Sequence, residues 1–102
     1  MEIKIEVFSM LEYFKVTANT ALNQFFINNK KSNMDVNKFA EELLNIVVFW
    51  DENLVNPNIV HDAESYSIII EKDLETLKLV GSGSYPKNYS QFKNLLKRAL
   101  EC

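Results

Sequence analysis

A chain of 102 residues with a formal net charge of -3 has the length of one compact domain and leaves no room for separate catalytic and regulatory modules. With 47% hydrophobic and 25% charged residues, two Gly and two Pro, it is too apolar to be disordered and too poor in breakers to be a linker. One cysteine, Cys102, and one histidine, His61, exclude a disulfide framework within the chain, a thiolate zinc site and most histidine chemistry.

Residues 1–102 therefore read as a single domain. Residues 3 to 8 alternate apolar and polar, with Ile3, Ile5 and Val7 β-branched, which predicts a half-buried strand. Ser9 with Glu12 three residues on has the form of a capping box, and Phe8 and Tyr13 flank it like a hydrophobic staple. That pattern predicts a helix from about Met10 to Asn28, with Leu11, Phe14, Ala18, Ala21, Leu22, Phe25 and Phe26 on its apolar stripe. The polar run Asn28 to Asn33 breaks it. Asp35 is a suitable N-cap for a second helix, whose apolar face runs from Val36 through Phe39, Leu43 and Val47 to Trp50.

Residues 51–64 hold no sustained period and contain Asn56-Pro57, so a loop is expected there. Residues 65–71 and 76–80 are short β-branched runs separated by a charged turn, which makes a hairpin with Tyr66, Ile68, Ile70, Leu77 and Leu79 on one face. Tyr85-Pro86 then leads into a last amphipathic helix bearing Tyr89, Phe92, Leu95, Leu96, Ala99 and Leu100. The expected fold is α+β, a small mostly antiparallel sheet with three helices in the order β-α-α-β-β-α.

Charge is segregated along the chain. From Glu41 to Glu75 nine acids face one base, Lys72, whereas the stretch from residue 76 to the end holds five bases and one acid. If the middle segment gathers on one side it repels phosphate and attracts a cationic protein.

Individual chemistries fail on their spacing. Gly81-Ser82-Gly83-Ser84 lacks the ending of a nucleotide loop. His61 and Asp62 are adjacent and have no Ser or Cys nucleophile implied nearby. Glu71, Asp73 and Glu75 lack the spacing and central Gly of a calcium loop. Lys87, Lys93, Lys97 and Arg98 near Tyr85 and Tyr89 mix bases with aromatics as nucleic-acid surfaces do, but the acidic balance of the chain opposes phosphate. Trp50 at a helix end beside Asp51 and Glu52 reads either as core or as a partly exposed interface anchor. No catalytic, cofactor or metal site is expected.

The stretch from Phe39 to Leu100 resembles small bacterial immunity proteins of polymorphic toxin systems, the contact-dependent growth inhibition type. The resemblance rests on the helix ending in Trp50-Asp51, the hairpin beginning at Ser65, the run from Gly81 through Tyr85-Pro86 to Asn88-Tyr89, and the closing helix at Phe92 to Leu96. It implies a non-enzymatic antidote whose partner is a cognate toxin domain, and it transfers no contact residue. A nuclease toxin is basic because it holds phosphate, so the charge pattern assigns the contacts to Asp51, Glu52, Asp62, Glu64, Asp73 and Glu75, with Trp50 or Tyr66 as apolar anchor. A phage or mobile-element inhibitor of a host defence nuclease shares these features. Met1 followed by Glu2 and Lys4 gives no signal peptide, and no apolar run approaches the roughly 18 residues of a membrane span. The expectation is a cytoplasmic monomer or weak homodimer that binds neither nucleic acid nor membrane.

Overall fold

Period-two alternation governs the N-terminal third of the chain, and it overrides the helical spacing that the same residues also satisfy. The computed structural model describes residues 1–48, 50, 53–55, 64–83 and 85–102. Its elements are β1 (Glu2–Phe8), β2 (Tyr13–Asn19), β3 (Gln24–Ile27), β4 (Lys30–Lys31), α1 (Val36–Val47), β5 (Asn53–Val55), β6 (Ser65–Lys72), β7 (Glu75–Ser82) and α2 (Tyr89–Glu101). Among the described residues the seven strands form one sheet in the order β4-β3-β2-β1-β6-β7-β5. The neighbours are antiparallel except β5, which lies parallel to β7 at the edge.

Two parts of the sequence expectation are corrected. The chain is α+β, but its described residues hold two helices and not three, in the order β-β-β-β-α-β-β-α once the short edge strand β5 is set aside. The helix expected over residues 10–28 is the pair β2 and β3. Phe14, Val16 and Ala18 are buried on one side of β2 and Phe25 and Ile27 on the same side of β3, with Val16 opposite Ile27 and Ala18 opposite Phe25. Asn23, Asn28 and Asn29 take left-handed φ of 51°, 52° and 67°, which asparagine tolerates and which ends the run at both tight turns. The Ser9/Glu12 pair does form its local bond, since Glu12 N–H donates to Ser9 Oγ at 2.9 Å, but it closes the β1–β2 hairpin instead of opening a helix. Residues 53–55, expected as loop, are the edge strand β5.

Both helices cover one face of the sheet. Ile3, Ile5 and Val7 of β1 stand in register with Ala18, Val16 and Phe14 on one side and Ile70, Ile68 and Tyr66 on the other, and all are buried. Onto them pack Phe39, Leu43 and Val47 of α1 and Phe92, Leu95, Leu96 and Ala99 of α2. Burying each large side chain of this kind contributes roughly 1.5–3 kcal/mol. Asp35 caps α1 by accepting from Asn37 N–H at 2.9 Å, and buried Ser32 Oγ donates to the Ala99 carbonyl at 2.8 Å, tying the start of α1 to the end of α2. The other face of the sheet carries no helix among the described residues. Along β1 and β2 its residues, Lys4, Glu6 and Phe8 with Tyr13, Lys15 and Thr17, are exposed. No helix among the described residues is long and apolar enough to cross a membrane.

Candidate partner-binding site

Strand β6 separates the proposed contact residues into two groups. Glu64 precedes its first residue and Asp73 follows its last, so at roughly 3.3 Å per residue about 30 Å lies between them. Trp50, Glu64 and Tyr66 sit at one end of the sheet, and Asp73 and Glu75 at the other. Asp51, Glu52 and Asp62 lie outside the described residues.

The first group is locked into the body of the protein. Trp50 is buried, which decides between its two readings in favour of core, and its ring meets Tyr66 and Phe92 edge-on with centroids 5.4 Å away in each case. Its indole N–H donates to Asn88 Oδ1, and Asn88 Nδ2 donates to the Ile46 carbonyl at 2.6 Å, so one amide ties the end of α1 to the start of α2. Tyr66 is buried beside Tyr89, centroids 5.4 Å apart, and Tyr85 stacks on Tyr89 at 4.7 Å from outside.

Glu64 is the hub of the polar layer under these rings. It accepts from Tyr89 Oη at 2.5 Å and from Lys93 Nζ at 2.6 Å, while its backbone carbonyl accepts from Tyr85 Oη at 2.9 Å. Lys93 also donates to Glu12 in the β1–β2 turn, and Lys97 pairs with Glu12 at 3.4 Å. The phenol of Tyr89 is pushed far above its ordinary range, mainly by burial and then by the Glu64 carboxylate it donates to. Burial pulls the Lys93 ammonium down, but its hydrogen bonds to Glu12 and Glu64 outweigh that and hold its pKa above the usual lysine value. The Lys93 hydrogen bond likewise lowers the Glu12 carboxyl, with burial opposing it. Tyr89 stays protonated, Lys93 stays charged and Glu64 accepts from both. The arrangement is a latch joining the β1–β2 turn, the start of β6 and helix α2.

The latch has a pH signature. Because the Glu12 pKa is depressed on folding, its contribution is complete above 4.5, its unperturbed value, and is lost as pH falls through the folded value. Urea melts from pH 6 down to pH 3 should show stability falling below about pH 4.5, with a shallower fall in Glu12→Gln. An identical slope in that variant contradicts the assignment.

The second group is free. Lys72 stands opposite Glu75 in the strand register across a two-residue turn, Asp73 and Leu74, in which Asp73 takes a φ of 54°. Glu71, Asp73 and Glu75 are exposed and make no ion pair among the described residues, and Leu74 at the apex is fully exposed. Elsewhere in the acidic segment Glu42 is paired with Arg98 at 2.9 Å, as Glu64 is with Lys93. The basic C-terminal helix thus neutralises part of the acidic middle third, and of its described acids Glu41 on α1 and the three around the β6–β7 turn are left without an ion pair among the described residues. Leu74 was not among the residues expected at the site. A leucine in a two-residue turn between acids is the signal that marks it, since nothing in a hairpin requires an apolar residue there.

No family model, curated protein or solved structure matches the chain. Among the described residues no group of His, Cys, Asp and Glu is placed to hold a metal ion.

Proposed function

We propose that the chain is a non-enzymatic inhibitor, an immunity protein of the cytoplasm that neutralises a basic, nuclease-type toxin domain. The observation that carries the reading is the β6–β7 turn, where fully exposed Leu74 sits at the apex with exposed Glu71, Asp73 and Glu75 within three residues of it along the chain. Unpaired carboxylates around an apolar tip fit a cationic cleft that normally holds phosphate, the charges speeding encounter and the leucine supplying desolvated contact. Asp73 and Glu75 are retained as contacts. Glu64, Tyr66 and Trp50 act from within the fold, holding the rigid sheet from which the turn projects.

Co-expression with the product of the gene immediately upstream tests the reading. A complex that copurifies, and growth of cells that otherwise die from that product, is the expected result. Absence of both the complex and the protection removes the proposal.

A further inference from the structure

The fold gathers lysines that the sequence disperses. Lys31 of β4 stands opposite Phe26, Phe26 opposite Thr17, Thr17 opposite Lys4, Lys4 opposite Ile69 and Ile69 opposite Lys78. These six residues make one row straight across the helix-free face, and the row contains no acid. With strands about 4.8 Å apart, Lys4 lies roughly 14 Å from Lys31 and roughly 10 Å from Lys78. The acids of this face sit in the flanking rows, Glu6 opposite Lys15 on one side and Glu2 opposite Glu71 on the other. The only ion pair that touches the row among the described residues is Lys4 with Glu2 at 3.8 Å, between two half-exposed side chains, which holds Lys4 weakly. By contrast, Lys93, Lys97 and Arg98 of α2 are engaged by acids.

Shape and an aromatic ring follow the same line. Two shallow depressions of about 230 and 200 Å³ lie on this face, and both are lined by Lys4 and Thr17, so they meet in the middle of the row. One is bounded by the Phe26 ring, 41% exposed, and the other by Ile69. Glu2 also lines the first depression, and Glu6 and Lys15 the second, so the positive charge lies in the row itself. A line of lysines with an aromatic platform beside one of them is the pairing that holds single-stranded nucleic acid, the lysines taking phosphates and the ring an unstacked base. Among the described residues no helix or ribbon rises above this face to enter a duplex groove.

We propose that this lysine row is a binding face for single-stranded nucleic acid. It is a second activity, centred away from the apex of the β6–β7 turn although Glu71 lies in the row beside it, and the net charge of -3 makes it a low-salt, low-affinity one. Electrostatic repulsion from the acidic turn opposes the strand at long range, and close contact with the three lysines opposes that locally.

Fluorescence anisotropy of a labelled single-stranded oligothymidylate, about 15 nucleotides long, titrated with the full chain at about 20 mM salt, tests it. The expected result is a Kd of about 10–100 μM, with log affinity falling against log salt at a slope near -2, since three phosphate contacts contribute about 0.7 each on a single strand. Lys4→Gln, Lys31→Gln and Lys78→Gln together should abolish that slope and lower affinity at least tenfold, and Phe26→Ala should lower it roughly tenfold. Lys30→Gln with Lys87→Gln, the same kind of charge loss outside the row, should leave affinity within about twofold. All six positions are exposed, and unchanged thermal melts establish that the variants fold. No anisotropy change at about 200 μM protein, equal affinity in the triple variant, or binding to phosphatidylserine vesicles without binding to the oligonucleotide would each overturn the proposal.

Discussion

Lys93→Met is expected to destabilise the fold by about 3 kcal/mol and to lower its melting temperature by roughly 12–20 °C. The lysine side chain is 13% exposed and that of its partner Glu64 is 16% exposed, so the pair sits largely out of water. Removing one member of a buried pair costs about 3–5 kcal/mol because the other charge stays behind without compensation. The Glu12 side of the latch is 36% exposed and can be resolvated, which places the estimate at the lower end. Methionine keeps the aliphatic stem near Phe14, whose ring centroid lies 5.5 Å from Nζ, so the loss is electrostatic and not one of packing. A second change, Glu64→Gln, should therefore recover part of the loss by removing the stranded carboxylate. Denaturant melts of the two single variants and the double variant measure the coupling. A cost below about 1 kcal/mol for Lys93→Met would show the latch to be an ordinary screened surface pair.

Gly81→Ala should cost about as much for a different reason. Gly81 faces Tyr66 in the β6–β7 register, and a Cβ at Gly81 would stand 2.7 Å from Tyr66 Oη and nearer still to ring atoms Cε1 and Cζ. The ring has no direction of retreat, since Trp50, Tyr89 and Phe92 contact it with centroids at 5.4, 5.4 and 6.5 Å. Overpacking a core of this density costs typically 1–3 kcal/mol, and with a ring held from three sides the upper end applies. Truncating the ring removes the clash, so Tyr66→Ala and Gly81→Ala combined should cost less than the sum of the two measured singly. Additive costs would mean that the sheet, and not the ring, absorbs the extra methyl.

The C-terminal half of the fold was legible in the sequence because its local signals agree with one another. Val36 to Val47 carries helical spacing and an aspartate cap, and the runs around Ile68 and Leu79 carry β-branched residues on both sides of a short polar turn. The N-terminal half carries two patterns at once. Phe14, Ala18, Phe25 and Phe26 satisfy a spacing of three and four, while Phe14, Val16 and Ala18 satisfy a spacing of two, and long-range pairing of β2 with β1 decides between them. Val16 and Thr17 favour strand but weigh little against a capping-box motif, and Ser-x-x-Glu makes the same first bond in a hairpin as in a helix. The site was legible only in its net charge. That Glu42 and Glu64 would be consumed by Arg98 and Lys93 depends on α2 folding back beside α1 and β6, contacts between residues 56 and 29 positions apart. The lysine row is hidden for the same reason, its members coming from six strands whose order is not the chain order.

Acid surplus at one turn and a base row on the open face give the molecule two surfaces of opposite sign. An inhibitor that meets a basic toxin through the apex of the turn would be steered by both, the acids attracting and the lysine row beyond Glu71 repelling, which biases the orientation of approach as well as its rate. The measurement that bears most directly on this account is calorimetric titration of the proposed toxin partner, the product of the gene immediately upstream, with Glu71→Lys, Asp73→Lys and Glu75→Lys combined, beside Glu41→Lys on the exposed side of α1. The triple variant is predicted to lose about a hundredfold in affinity and most of its salt dependence, with Glu41→Lys unchanged. Equal affinity for the triple variant and the unaltered protein would contradict the docking of a cationic partner on the β6–β7 turn.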